Sequence, residues 1–154
     1  MLREKPLILV VDDQATTIRV MNIMLQPEYE VCVATSGERA IEVANDQLPD
    51  LILLDNMMPG LSGVETCMAL KDDPKTRTIP VIFLTSMDDA HNESVGFNAG
   101  AVDYIYKPPA PESVKARIRV HLSNVAQRQF IEQISDGTLS DLDEIQVLAK
   151  RMTS

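Results

Sequence analysis

Four short runs in the chain are apolar from end to end. They are Leu7–Val11 (LILVV), Leu51–Leu54 (LILL), Val81–Leu84 (VIFL) and Tyr104–Tyr106 (YIY). None alternates polar with apolar residues, so each suits a strand covered on both faces, as in parallel sheets. Between the runs, apolar residues recur at helical spacing. Ile18, Met21, Met24 and Leu25 form one such stripe, and Pro27 stops it. Ala40, Ile41 and Ala44 form another, behind Thr35-Ser36-Gly37-Glu38, which matches a capping box. Val114, Ile118, Leu122 and Val125 mark the last helix of the repeat. Strand then helix, five times over, predicts an α/β fold with a doubly wound, five-stranded parallel sheet.

The polar residues that matter follow the apolar runs. Asp12-Asp13 follows the first, Asp55 the second, Thr85-Ser86 the third and Lys107 the fourth. In open α/β sheets, sites form outside the carboxyl ends of the strands, so residues far apart in sequence should meet at one edge. A single strand-end aspartate is as readily a solvated turn former. Three of them with a lysine and a hydroxyl are another matter. Adjacent acids repel unless a cation lies between them. Carboxylate oxygens with few other donors suit Mg²⁺, which retains waters and takes phosphate oxygens. Mg²⁺ and Lys107 would offset the charge of an attacking carboxylate and of a phosphoryl group, and Thr85 would donate.

The chain has 154 residues, 45% of them hydrophobic, enough for one globular domain with a real core. No apolar run approaches the roughly 18 residues of a membrane span, so a membrane partner is not expected. The first apolar stretch ends at once in two aspartates, which reads as a first strand rather than a signal peptide, and a cytoplasmic location is expected. Net charge is −9, which argues against direct nucleic-acid binding. Cys32 and Cys67 lack metal-ligand spacing and read as small core hydrophobes. No GxxxxGK[ST] loop is present, which argues against a nucleotide hydrolase.

The motifs VVDD at 10–13, LLDNMMPGLSG at 53–63, LTS at 84–86 and GAVDYIYKP at 100–108 resemble those of the receiver domain of two-component response regulators. The resemblance covers about Leu7 to Val125. It implies a flavodoxin-like (βα)5 fold with Asp55 as phospho-acceptor. It implies Mg²⁺ held by Asp12, Asp13, Asp55 and the backbone carbonyl of Met57. It further implies that Thr85 bonds the phosphoryl group, that Lys107 pairs with it, and that Thr85 and Tyr104 form the switch. Lys107-Pro108 resembles the family's cis peptide. The partner it implies is a sensor histidine kinase. Such a protein is not an enzyme in the conventional sense, since it catalyses only its own phosphorylation and dephosphorylation.

Two residues depart from the family pattern. Asn56 follows the acceptor where an apolar residue is common, with its side chain at the site mouth or in solvent. Pro109 stands where phenylalanine is frequent. Gly60 and Gly63 serve either turn chemistry or close backbone approach to the site. Met57 and Met87 either shield the phosphoryl group or fill gaps in the core. His91 and His121 invite a phosphotransfer reading. For His121, set in an apolar helical stripe, a core or partner contact is preferred.

Two other functions compete. A phosphatase with an aspartate nucleophile and Mg²⁺ would want a second aspartate two residues on, where this chain has Met57. A docking receiver that is never phosphorylated would lack Asp55, Thr85 or Lys107, and all three are present.

The receiver pattern ends at Asn124, giving a receiver at 1–124 and a helical extension at 125–154. Val125, Phe130, Ile131 and Ile134 carry the last helix on until Ser135-Asp136-Gly137. A new helix starts near Ser140-Asp141, with Leu142, Ile145, Leu148, Ala149 and Met152 as its apolar face. It either folds back on its own receiver, forms a homodimer contact, or links to an output domain or protein. A homodimer through this region is the expectation, because a short amphipathic helix is marginal alone.

Overall fold

The computed structural model of the protein describes residues 4–86, 97–136 and 142–153. The elements are β1 (Leu7–Val11), α1 (Ala15–Leu25), β2 (Glu30–Ala34), α2 (Gly37–Gln47), β3 (Leu51–Asp55), α3 (Gly63–Asp72), β4 (Val81–Thr85), β5 (Asp103–Tyr106), α4 (Pro111–Asp136) and α5 (Leu142–Thr153). Met87, His91, Gly137, Ser140 and Asp141 lie outside the described residues.

The five strands form one parallel sheet in the order β2-β1-β3-β4-β5. This is the flavodoxin-like arrangement, in which the chain winds outward both ways from β1 and β3. Every residue of β1, β3 and β4 is buried. Successive side chains point to opposite faces, so each strand feeds two cores. Leu9, Val11, Ile52, Leu54 and Phe83 pack with Ala40, Val43, Cys67 and Leu70 of α2 and α3. Ile8, Val10, Leu51, Leu53 and Leu84 pack with Met21, Leu25, Val114, Ile118 and Leu122 of α1 and α4. At about 1.5–3 kcal/mol for each fully buried aliphatic side chain, this two-sided core is the main source of stability.

β2 is the strand that the apolar runs do not mark. It lies at the sheet's edge, with Glu30 and Val33 exposed. Helix α1 ends at Leu25 ahead of Pro27, as expected. The expected capping box at Thr35–Glu38 is not formed. Ser36 is the N-cap and accepts from Arg39 N at 3.1 Å. The third helical position is therefore Arg39, which has no carboxylate to return the bond. The reciprocal pair occurs on α3, where Ser62 and Glu65 exchange two bonds of 3.1 Å each.

Cys67 is fully buried, and burial pushes its thiol up to about 11. Cys32 is partly buried against the same core. Both behave as small hydrophobes.

Helix α4 runs unbroken for 26 residues, about 39 Å, past Asn124. Helix α5 folds back on it. Ala126 and Leu148 are buried between them, flanked by Phe130, Ile145 and Met152. Ser123 Oγ donates to Met152 O at 3.0 Å, and Arg151 reaches Asp50 at the foot of β3, at 3.3 Å. Within the single chain the extension takes the folded-back arrangement. The apolar stripe of α5 thus has a partner within its own chain. Ile131 and Ile134 on α4 stay 65% and 51% exposed. Among the described residues, no helix is long and apolar enough to cross a membrane.

Candidate functional site

The sheet order reverses between β1 and β3, so the helices after these strands leave on opposite sides and open a crevice at their carboxyl ends. Asp12, just past β1, and Asp55, the last residue of β3, face each other there. Asp12 is fully buried and Asp55 is 4% exposed. Asp12 is fixed by the chain around it: its N–H donates to Ala34 O at 3.1 Å, and its Oδ1 accepts from Gln14 N at 2.8 Å. Asp55 Oδ1 accepts from Met57 N at 3.2 Å.

Lys107 joins the two carboxylates. Its Nζ lies 3.1 Å from Asp12 Oδ2 and 3.2 Å from Asp55 Oδ1. β5 delivers it, since Lys107 is the first residue past Tyr106 and its N–H continues the ladder to Thr85 O at 2.8 Å. The Lys107-Pro108 peptide is cis. One ammonium thus serves two buried carboxylates, and it does not suffice. Burial pushes Asp55 up, Asp12 pushes it further, and Lys107 with the Met57 N–H offsets only part, leaving it at about 6. Burial alone would lower Lys107, but Asp55 and then Asp12 outweigh it and hold the ammonium above its ordinary value.

Oxygen atoms of Asp12, Asp13 and Asp55 lie within 4.8 Å of one another. An octahedral Mg²⁺ at about 2.1 Å from each ligand sets its oxygens roughly 3 to 4 Å apart, so a slight inward shift or a bridging water closes the set. Asp13 is exposed, which leaves room for the waters that Mg²⁺ keeps. The excess negative charge and the hard donors both fit a divalent cation.

The remaining residues of the sequence reading fall as follows. Thr85 is buried beside the site, and its hydroxyl donates to Ser86 O at 3.3 Å. Tyr104 is 6% exposed, stacked on Phe83 at 5.5 Å and edge-on to Phe97 at 4.9 Å. Asn56 is buried and not in solvent, with its N–H bonded to Leu84 O at 3.1 Å. Met57 is 64% exposed, which removes the gap-filling reading for it and leaves its side chain at the rim. The two glycines divide the two roles. Gly60, at φ +77°, makes the turn, whereas a Cβ on Gly63 would stand 2.5 Å from Asp55 O.

His121 Nε2 lies 2.9 Å from Asp103 Oδ2, and Arg117 lies 2.6 Å from Asp103 Oδ1. His121 is therefore a contact residue between α4 and β5. Sequence patterns did not reveal this trio. Its only signal was the spacing of Arg117 and His121, one helical turn apart, opposite an acid that starts a strand.

The model of the response regulator receiver domain matches residues 8–119, and the chain belongs to that family. Two curated relatives are similar to it. One is a probable cyclic di-GMP phosphodiesterase from Vibrio cholerae, 39% identical over 129 residues, which are 84% of this chain and 29% of that protein. The other is the response regulator PleD from Caulobacter vibrioides, 44% identical over 113 residues, 73% of this chain and 25% of that protein. The chain thus spans under a third of the length of either. Among solved structures, the receiver domain of a sensor histidine kinase from Pseudomonas aeruginosa, with a magnesium ion coordinated in its active site cleft, matches with a TM-score of 0.71. That match has 26% identity and covers 77% of this chain and 98% of the other.

Proposed function

We propose that Asp55 accepts a phosphoryl group from the phosphohistidine of a sensor kinase. An Asp55 oxygen bonds to phosphorus as the P–N bond breaks, and the imidazole leaves with the electron pair. The observation that carries this reading is Lys107 bridging Asp12 and Asp55 inside a buried acidic crevice. Asp12, Asp13, Asp55 and the Met57 carbonyl are the groups that would hold Mg²⁺. When bound, the ion offsets charge on the phosphoryl oxygens. Lys107 is already within reach of Asp55 and would follow the added charge. Thr85, whose hydroxyl donates to the neighbouring Ser86 O, can turn that hydroxyl to a phosphoryl oxygen.

Thr85 and Tyr104 would form the switch. Here Tyr104 is already inside while Thr85 still faces Ser86 O. Phosphorylation would then lock an aromatic packing that exists beforehand, rather than create it. Hydrogen exchange with and without beryllofluoride should show slower exchange at residues 81–85 and 103–107. No change there removes the switch role from this pair.

Residues 1–124 act as the receiver and 125–154 as its helical extension. Ile131 and Ile134 on α4 are where a second copy or an output domain would dock in the cytoplasm. Intact-mass analysis with acetyl phosphate should show one added phosphoryl group with Mg²⁺, and none with chelator or in Asp55→Asn. Equal labelling of that variant would overturn the assignment.

A further inference from the structure

At the opposite end of the sheet from Asp55, the folded-back helix forms one wall of an open-sided cavity of about 400 Å³. The segment before β1, the turn between α1 and β2, α4 and α5 all contribute to it. Its volume lies in the range of small-molecule sites, about 300 to 1,000 Å³. The lining has two characters. Pro6, Pro27, Leu122 and Val147 are apolar and Tyr29 is aromatic; Lys5, Arg119, Lys150 and Arg151 are cationic.

Two acids also line it, Glu4 and Glu28. Glu28 is engaged by Lys115 of α4 at 3.2 Å. Arg151 is held by Asp50 at 3.3 Å, and Asp50 in turn accepts from Leu7 N at 2.8 Å, so this part of the wall is anchored to the feet of β1 and β3. Tyr29 is 7% exposed, and burial, then Glu28, keeps its hydroxyl protonated and able to donate. With the ion-pair partners Lys115 and Asp50 included, five cations stand against three acids, which makes a locally positive cavity in a chain of net charge −9. Such local reversal of sign draws anions into a cleft.

We infer that this cavity binds a small organic phosphate with a flat ring, of the mononucleotide type. The ring would lie among Tyr29, the prolines and Leu122, and the phosphate among Arg119, Lys150 and Arg151. Val147, Lys150 and Arg151 belong to α5, whereas Tyr29 and Pro27 belong to the receiver. A ligand there bridges the two and favours the docked position of α5. The site is remote from Asp55 and uses none of its residues, so it stands or falls apart from the phosphorylation reading.

The test is calorimetric titration of the full chain with AMP, adenosine and inorganic phosphate, at low salt and without Mg²⁺. AMP should bind with a dissociation constant on the order of 10–100 µM, at least tenfold more tightly than either adenosine or phosphate. Binding should weaken as salt rises. The exposed pair of substitutions Arg119→Gln and Lys150→Gln should weaken AMP at least tenfold while thermal unfolding and Asp55 labelling stay as in the parent. AMP should also slow hydrogen exchange in 142–153. Absence of binding at millimolar AMP would overturn the proposal. So would equal affinity for inorganic phosphate, or unchanged AMP binding in the double variant.

Discussion

Asp55 ends β3 and Asp103 begins β5, with β4 between them; each lies beside a cationic side chain, and they are driven in opposite directions. Asp55 shares one lysine with a second buried carboxylate, and its proton is held to about 6. Asp103 has two basic groups to itself. Burial would raise it, but His121, the Tyr104 N–H and Arg117 outweigh burial and hold it below its ordinary value. Deeper burial and the second carboxylate, Asp12, drive Asp55 up beyond what its donors offset, whereas at Asp103 the donors outweigh burial. Asp103 is a finished contact. Asp55 is short of positive charge, which is the condition for taking up a cation and then a phosphoryl group.

Removing Lys107 should have the largest effect on this contrast. Lys107→Met leaves Asp12 and Asp55 buried with no counter-charge. Loss of a buried partner typically costs 3–5 kcal/mol, and since the lysine is 26% exposed the expectation here is about 2–4 kcal/mol. Urea unfolding in chelator measures it. Adding Asp55→Asn to the same chain should recover much of the loss, because one of the two repelling charges is gone. A change below about 0.5 kcal/mol would mean that water already screens the pair.

The two aspartates should also separate by pH. In metal-free protein, Asp55 keeps its proton up to about 6, against 3.8 for an ordinary aspartate. Between those values the folded state binds more proton than the unfolded state. The stability this gives is fully present below about pH 3.8 and is lost as pH rises through about 6. Asp103 behaves in reverse: its contribution is present above 3.8 and is lost as pH falls through its lowered folded value. Denaturation midpoints in chelator should therefore fall through Asp55 as pH rises from about 3.8 through about 6, and Asp55→Asn should flatten that slope. Millimolar Mg²⁺ should reverse it, since the ion binds the ionised form. A slope unchanged in the variant would assign it to another group.

How far these features could be read beforehand depends on how local their causes are. β1, β3 and β4 were legible because burial on both faces leaves an uninterrupted apolar run. β2 was not, because an edge strand keeps Glu30 and Val33 in water. Asp12, Asp55, Thr85 and Lys107 were legible as a group because parallel strands bring their carboxyl ends to one edge. Lys107 lying between two carboxylates depends on the path of the chain after β5, which no pattern encodes. The capping box was misplaced by one helix, since Thr35–Glu38 and Ser62–Glu65 share the same spacing and only the backbone decides which serine or threonine is the cap. The fold-back of α5 rests on Leu148 meeting Ala126 and Arg151 meeting Asp50, contacts more than twenty residues apart in sequence.

The smallest effect should come from the Asp103 side. Arg117 is 44% exposed and its ion pair is screened, so Arg117→Gln should cost about 0.3–0.5 kcal/mol at pH 7. His121 is only 17% exposed and packs between α4 and β5, so His121→Ala should cost more, about 1 kcal/mol, through lost contact as well as the lost bond. The two losses should not add. With either partner gone the other still serves the same carboxylate, whereas the double variant strands it, so the double loss should exceed the sum of the single ones. A strictly additive result would mean that Asp103 is solvated well enough to need neither group. The contrast with Asp55 would then rest on burial and on Asp12 rather than on the donors at Asp103.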